Sequence, residues 1–293
     1  MGRCRLQVLN SSNSIALGDF RTEVAILRRV HHPNAVQMLG ACTKSVPYML
    51  VTEFVPGGPL SSIFSTRLRI SLRRIVEIAL DIARGMAYLH SASKAIIHRD
   101  LKPSNILIGG SYHNSPSELA LHTGVIKIGD FGLSKSLATL GNFPGANSNE
   151  AYNLTGGTGS YRYMAPEVFR HEPYSSKVDV YSFAMIVYQL IEGVVPFHGT
   201  KPMQAAVEVS TDQRRPDWST LYQLERNSGD KLRSLVEQCW TTDPQERPSF
   251  EEICEFLEHV LKDIPRDPEW SPKRDAARAP EAEAETKCQC AVM

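Results

Sequence analysis

An excess of charge of either sign is the first thing missing. Lys and Arg number 32, Asp and Glu number 32, and the 293-residue chain has a formal net charge of zero. Long-range electrostatics therefore select neither nucleic acid nor an acidic surface, and no nucleic-acid partner is expected. Cysteine is scarce as well: Cys4, Cys42, Cys239, Cys254, Cys288 and Cys290 lack the paired spacings of a disulfide framework or a zinc site. A reducing, cytoplasmic compartment is the expectation. The first thirty residues hold no apolar run long enough for a signal peptide, and the most apolar stretch, VDVYSFAMIVYQLI (178–191), is too short to span a bilayer. There is no internal repeat. What the chain does have is 42% hydrophobic and 22% charged residues, an ordinary balance that excludes wholesale disorder and supplies one or two sizeable cores.

FRTEVAILRRV (20–30) has helical spacing, with Phe20, Val24, Leu27 and Val30 on one apolar stripe and Glu23 inside it. A carboxylate on a buried face is costly unless a positive group meets it, so Glu23 calls for a partner. HHPNAVQMLGAC and YMLVTEFV read as two strands around a turn at Lys44–Pro47, and PGGPL then breaks the pattern. LRRIVEIALDIARGMAYLH (72–90) has helical period, short strands follow at NILI and VIKIGD, and the pattern is helical from there to about Lys262. Residues 109–124 form a polar insert, and 136–160 form a long Gly/Asn/Ser-rich stretch without periodicity, the kind of segment that is usually functional. The tail from Pro265 has a disordered composition.

IIHRDLKPSNILI (96–108) gathers Asp100, Lys102 and Asn105 in one short loop. Phosphoryl transfer needs a carboxylate to orient the attacking hydroxyl, a cation for the moving phosphate and an oxygen ligand for magnesium, and these three residues supply them. Asp130, ending the strand in KIGDFGLSK, adds a second carboxylate suited to a metal that bridges phosphate oxygens. With YMAPEV (163–168) downstream, in this order, the chain resembles the eukaryotic protein kinases. Within them it is most similar to the tyrosine-kinase-like group and its Raf-like serine/threonine kinases, over about Gly18 to Leu261.

The resemblance implies an α+β, two-lobed protein-kinase-like fold with a truncated small β lobe and a mainly helical large lobe. It divides the chain into a divergent segment 1–18, a kinase domain 19–264 and a tail 265–293. It implies ATP and Mg2+ as cofactors and transfer of the ATP γ-phosphate to hydroxyls of a protein substrate. Asp100 then matches the catalytic base, Lys102 the phosphate-contacting lysine, and Asn105 and Asp130 the magnesium ligands. Thr52 matches the gatekeeper, the backbone of Glu53 and Val55 the hinge that bonds adenine, and Leu107 the residue beneath the adenine ring. Ser160 matches the hydroxyl that bonds the catalytic Asp and Lys. Asp179 matches the carboxylate holding the catalytic-loop backbone, although SSKVD also reads as a plain helix cap. Glu167 and Arg247 match a structural ion pair.

In these kinases the glutamate at the position of Glu23 pairs with an upstream lysine that holds the α and β phosphates. The first lysine of this chain is Lys44, and no G-x-G-x-x-G precedes Glu23. Three small-lobe strands are therefore expected to be missing, with Arg3, Arg5 and Arg21 as the cations in reach. Two readings follow: a serine/threonine kinase whose N-terminal part is incomplete here, or a catalytically impaired pseudokinase acting as a scaffold. Arg99, next to Asp100, suggests regulation by phosphate on Thr155 or Thr158. The ending CAVM has the pattern of a prenylation signal on Cys290, with methionine favouring farnesyl and Cys288 placed for a second lipid. Contact with the cytoplasmic face of a membrane is the corresponding expectation.

Overall fold

The computed structural model describes residues 4–9, 14–65, 70–91, 93–110, 123–136, 160–219 and 226–266. Strand β1 (Cys4–Leu9) precedes helix α1 (Ser14–Leu27), and strands β2 (Met38–Cys42) and β3 (Tyr48–Glu53) follow. These strands form one antiparallel sheet in the order β1-β3-β2. In its register Arg5 lies opposite Thr52 and Gln7 opposite Leu50. The expected loss of three strands is corrected for one of them: part of the segment read as divergent pairs with β3 along its whole length. The strand was hidden because its periodicity points the wrong way. Leu6 and Val8 are 53% and 46% exposed, while polar Arg5 and Gln7 share the inner face.

Helix α1 starts six residues before Phe20 and stops at Leu27 rather than Val30. A tightened turn carries the chain on, with Val30 N–H donating to the Leu27 carbonyl (3.1 Å), so Val30 is still fully buried. Glu23 is 7% exposed, inside the stripe formed by Phe20, Leu27 and Val30.

Helix α2 (Leu72–His90) starts at Ser71, whose hydroxyl accepts from the Arg74 N–H, and buries Ile75, Ile78, Ile82, Met86 and Leu89. Two short antiparallel pairs shape the loops beside it: β4 (Ile96–Ile97) with β7 (Lys135–Ser136), and β5 (Ile106–Ile108) with β6 (Ile126–Ile128). Helix α3 (Pro166–Phe169) is short. Helix α4 (Lys177–Glu192) is buried on every side from Val178 to Ile191 and ends at Gly193 in the left-handed conformation (φ 71°). Helices α5 (Pro202–Thr211), α6 (Arg226–Cys239) and α7 (Phe250–Asp263) complete the helical part. Helix α7 opens with a full capping box between Ser249 and Glu252 and packs along α2.

The two parts meet through backbone. Val36 N–H donates to the Ile128 carbonyl (2.8 Å), and Gly57 N–H to the Ile108 carbonyl (2.8 Å). Gly57 has no alternative here, since a Cβ would sit 2.3 Å from the Ile108 carbonyl oxygen. This junction brings β5, with Leu107, beneath the end of β3.

Candidate active site

Asp179, in the first turn of α4, is fully buried and organises the loop after β4. Its Oδ2 accepts from the His98 N–H (2.8 Å) and its Oδ1 from the Arg99 N–H (2.8 Å), while His90 Nε2 lies 2.8 Å from Oδ2. Burial opposes the charge, but the hydrogen bond and charge of His90 outweigh it and hold the carboxyl below the usual range. Asp179 does not act as a plain helix cap, because its contacts all reach across to α2 and the loop.

Pinned from behind, the loop turns its other side outward. The Lys102 ammonium lies 2.7 Å from Asp100 Oδ2 and donates to Ser160 Oγ (2.9 Å). Asn105 Nδ2 donates to both the Asp100 carbonyl (2.8 Å) and Asp100 Oδ2 (2.9 Å). The Asp100 carboxylate is thus held in one orientation by an ammonium and an amide. Arg99 has φ 71° and Asp130 has φ 61°, two left-handed non-glycine residues of the kind that cluster at functional sites. His98 Nε2 lies 3.1 Å from the Gly129 carbonyl and its ring 5.4 Å from that of Phe131, so the segment carrying Asp130 is packed on the loop carrying Asp100.

A cleft of about 370 Å3 opens between the sheet and β5. Thr52, Glu53, Val55, Leu107 and Asp130 all line it, together with Val36 and Leu50. Asp100, Lys102 and Asn105 lie outside this lining. Lys102 and Ser160 instead edge a groove of about 480 Å3 that also includes Phe64, Pro103 and Val195. The Glu53 carboxylate is already engaged, accepting from the Gln37 N–H (2.8 Å) and the Lys127 ammonium (2.9 Å).

Glu23 reaches into the cleft and meets Gln7, whose side chain hydrogen-bonds it. Burial, then the charge of Asp130, push the Glu23 carboxyl up to about 7, with Gln7 and Arg5 offsetting part of that rise. The partner of Glu23 is therefore a neutral amide, a residue that sequence reasoning missed. Only recognition of β1 and its register would have found it. Among the described residues no group of three or more His, Cys, Asp or Glu could hold a metal alone. The fit is to a hard cation: the Asp130 carboxylate and the Asn105 amide oxygen are two oxygen donors, which suits magnesium completed by phosphate and water.

Arg99 Nε and Nη1 are buried and have no hydrogen-bond partner among the described residues, and the guanidinium lies 5.9 Å from the Tyr174 ring centroid. Thr155 and Thr158 lie outside the described residues, as do Cys288 and Cys290. Behind the site, Arg247 forms a two-pronged pair with Glu167 (2.6 and 3.0 Å), both buried.

This combination of a pinned loop, a strand-end aspartate and a cleft beneath a small sheet defines a protein kinase domain, and the family model for that domain matches residues 6–258. The chain belongs to the protein kinase family. It is 43% identical over 260 residues to the serine/threonine-protein kinase VIK of Arabidopsis thaliana, covering 89% of this chain and 54% of that protein. It is 39% identical over 252 residues to serine/threonine-protein kinase 12 (86% and 50%) and 35% identical over 241 residues to serine/threonine/tyrosine-protein kinase HT1 (82% and 54%), both of the same plant. The chain spans about half the length of these curated relatives. No helix among the described residues is long and apolar enough to cross a membrane.

Proposed function

We propose that the chain transfers the γ-phosphate of ATP to serine or threonine hydroxyls of a protein substrate. The observation that carries this is the Asp100 carboxylate, fixed between Lys102 and Asn105 with Lys102 tied to Ser160. In this reading Asp100 orients the acceptor hydroxyl and takes up its proton, and Lys102 offers its charge to the phosphate in flight. The apolar walls at Val36, Leu50, Val55 and Leu107 accept the adenine ring, with the backbone of Glu53 and Val55 beside it and Thr52 at the back. Magnesium, when bound, neutralises phosphate charge, and Asn105 and Asp130 are the residues to hold it.

A second reading, a catalytically impaired scaffold, is favoured by one observation: Gln7, not a cation, meets Glu23. The two are separated by assaying the purified chain with magnesium-ATP and serine/threonine peptides. Slow incorporation is expected, lost in Asp100→Ala. Wild-type incorporation no greater than that of Asp100→Ala would leave the scaffold reading. The buried nitrogens of Arg99, unpartnered among the described residues, supply a site for a phosphate on Thr155 or Thr158, so in the same assay pre-phosphorylated protein is expected to be faster. Thr155→Ala with Thr158→Ala would remove that gain, and an undiminished gain would count against this mechanism.

The CAVM ending carries a further part of the reading, farnesyl on Cys290 and reversible contact with the cytoplasmic face of a membrane. One lipid chain anchors only marginally, so Cys288 is the place for a second. Membrane-fraction protein is expected to fall on Cys290→Ser. An unmodified C-terminal peptide in the mass spectrum of the cellular protein would rule the anchor out.

A further inference from the structure

We propose that Arg5 is the cation that holds the phosphate tail of a nucleoside di- or triphosphate in the cleft under β3, an inference resting on the reading that this cleft takes a nucleotide. The register places Arg5 opposite Thr52 and Gln7 opposite Leu50, so both side chains leave β1 on the face that lines the cleft. Three carboxyl groups share that lining, Glu23, Glu53 and Asp130; no cation of the described residues pairs with Asp130, and an anionic phosphate chain entering beside it is repelled unless a cation stands with it. Lys127 is committed to Glu53 at 2.9 Å. Gln7 is neutral and committed to Glu23.

Arg5 is left, and it is the one cation among the described residues of the lining. No carboxylate of the described residues lies within ion-pair distance of its guanidinium, although its charge is felt at Glu23. It is exposed at the cleft rim, on a side chain long enough to swing, and its planar fork of donors matches phosphate oxygens two at a time. The division of labour is therefore split between neighbours: Gln7 satisfies the buried carboxylate, and Arg5 supplies the charge. In a lysine-bearing strand one side chain performs both tasks.

The test compares ADP with adenosine by calorimetry on the full chain, with divalent cations chelated so that Asp130 adds no metal-borne affinity. Wild-type protein is expected to prefer ADP by about tenfold, the worth of one charge-assisted contact. Arg5→Gln is expected to bring the two affinities together while leaving adenosine unchanged, and Arg5→Lys to retain part of the preference. Because Arg5 is exposed, the variants are expected to melt with the wild type. An ADP preference that survives Arg5→Gln, or ADP binding that improves in it, would overturn the assignment and leave the cleft a nucleotide site. Failure of wild-type protein to bind either ligand would overturn the nucleotide reading and this inference together.

Discussion

Replacing Arg247 by alanine is expected to cost about 3–5 kcal/mol of folding free energy, among the largest losses any single side chain here can cause. The reason is what stays behind. Glu167 and Arg247 are 2% and 1% exposed, and the guanidinium meets the carboxylate with both prongs at 2.6 and 3.0 Å. It also donates to the carbonyls of Thr241 (3.0 Å) and Lys177 (3.1 Å), and lies 5.3 Å from the Tyr181 ring centroid. Removing it strands the buried Glu167 carboxylate without a counter-charge and takes a donor from three partly buried carbonyls, those of Lys177, Thr241 and Thr242. Urea denaturation reads the effect as a lower midpoint at an unchanged slope. Replacing both partners, Glu167→Gln with Arg247→Met, is expected to cost less than the single change, because no unpaired charge remains. A single-variant loss below about 1 kcal/mol would show that the pair is no more than a surface-like contact.

The pair also shows how far the sequence reaches on its own. Eighty positions separate Glu167 from Arg247, and nothing in local periodicity links them. Their pairing became legible only through the motif resemblance, as did the grip of Asp179 on the loop after Ile97. Elements whose signals are local were legible directly. Helix α2 runs from Leu72 to His90 in both readings, because its apolar period is regular, Ser71 caps it and no breaker interrupts it. Strands β5 and β6 fall within NILI and VIKIGD because both are short, apolar and β-branched.

Helix α1 was half legible. Gly18, among the poorest helix formers, sits inside it and masks a start at Ser14. Strand β1 was not legible at all. Leu6 and Val8 face outward, and the inner face carries Arg5 and Gln7 with only Leu9 packing on the core, so the alternation that normally betrays a strand described a surface rather than a core. The missed element is the one that furnishes the polar roof of the cleft. Polar residues on an inner face are the mark of a site, and the same feature that carries the function erased the signal for the fold.

Gln7→Lys is the other large change expected. A lysine at this position places an ammonium where the amide now reaches Glu23, converting a neutral contact into an ion pair in a partly desolvated cleft. The first consequence is electrostatic. In the present chain the Glu23 carboxyl stands raised from 4.5 to about 7, so the native state holds a proton that the unfolded chain releases over that interval, and stability falls as pH rises from about 4.5 to about 7. With the lysine present the native carboxyl is held ionised, the interval closes, and that fall in stability with pH is expected to disappear. The second consequence is kinetic. A cation fixed by Glu23 positions phosphate oxygens for transfer, and loss of such positioning typically costs on the order of a hundredfold, so phosphorylation by Gln7→Lys is expected to rise by about that factor. The gain must vanish in Gln7→Lys with Asp100→Ala, since positioning without the residue that orients the hydroxyl yields no transfer. Rapid transfer that survives the Asp100 change would mean a contaminating activity. An unchanged rate alongside a flattened stability profile would show that the ion pair forms and that this cleft does not depend on it, which would move the chain from the kinases that act by phosphoryl transfer to those that act by binding.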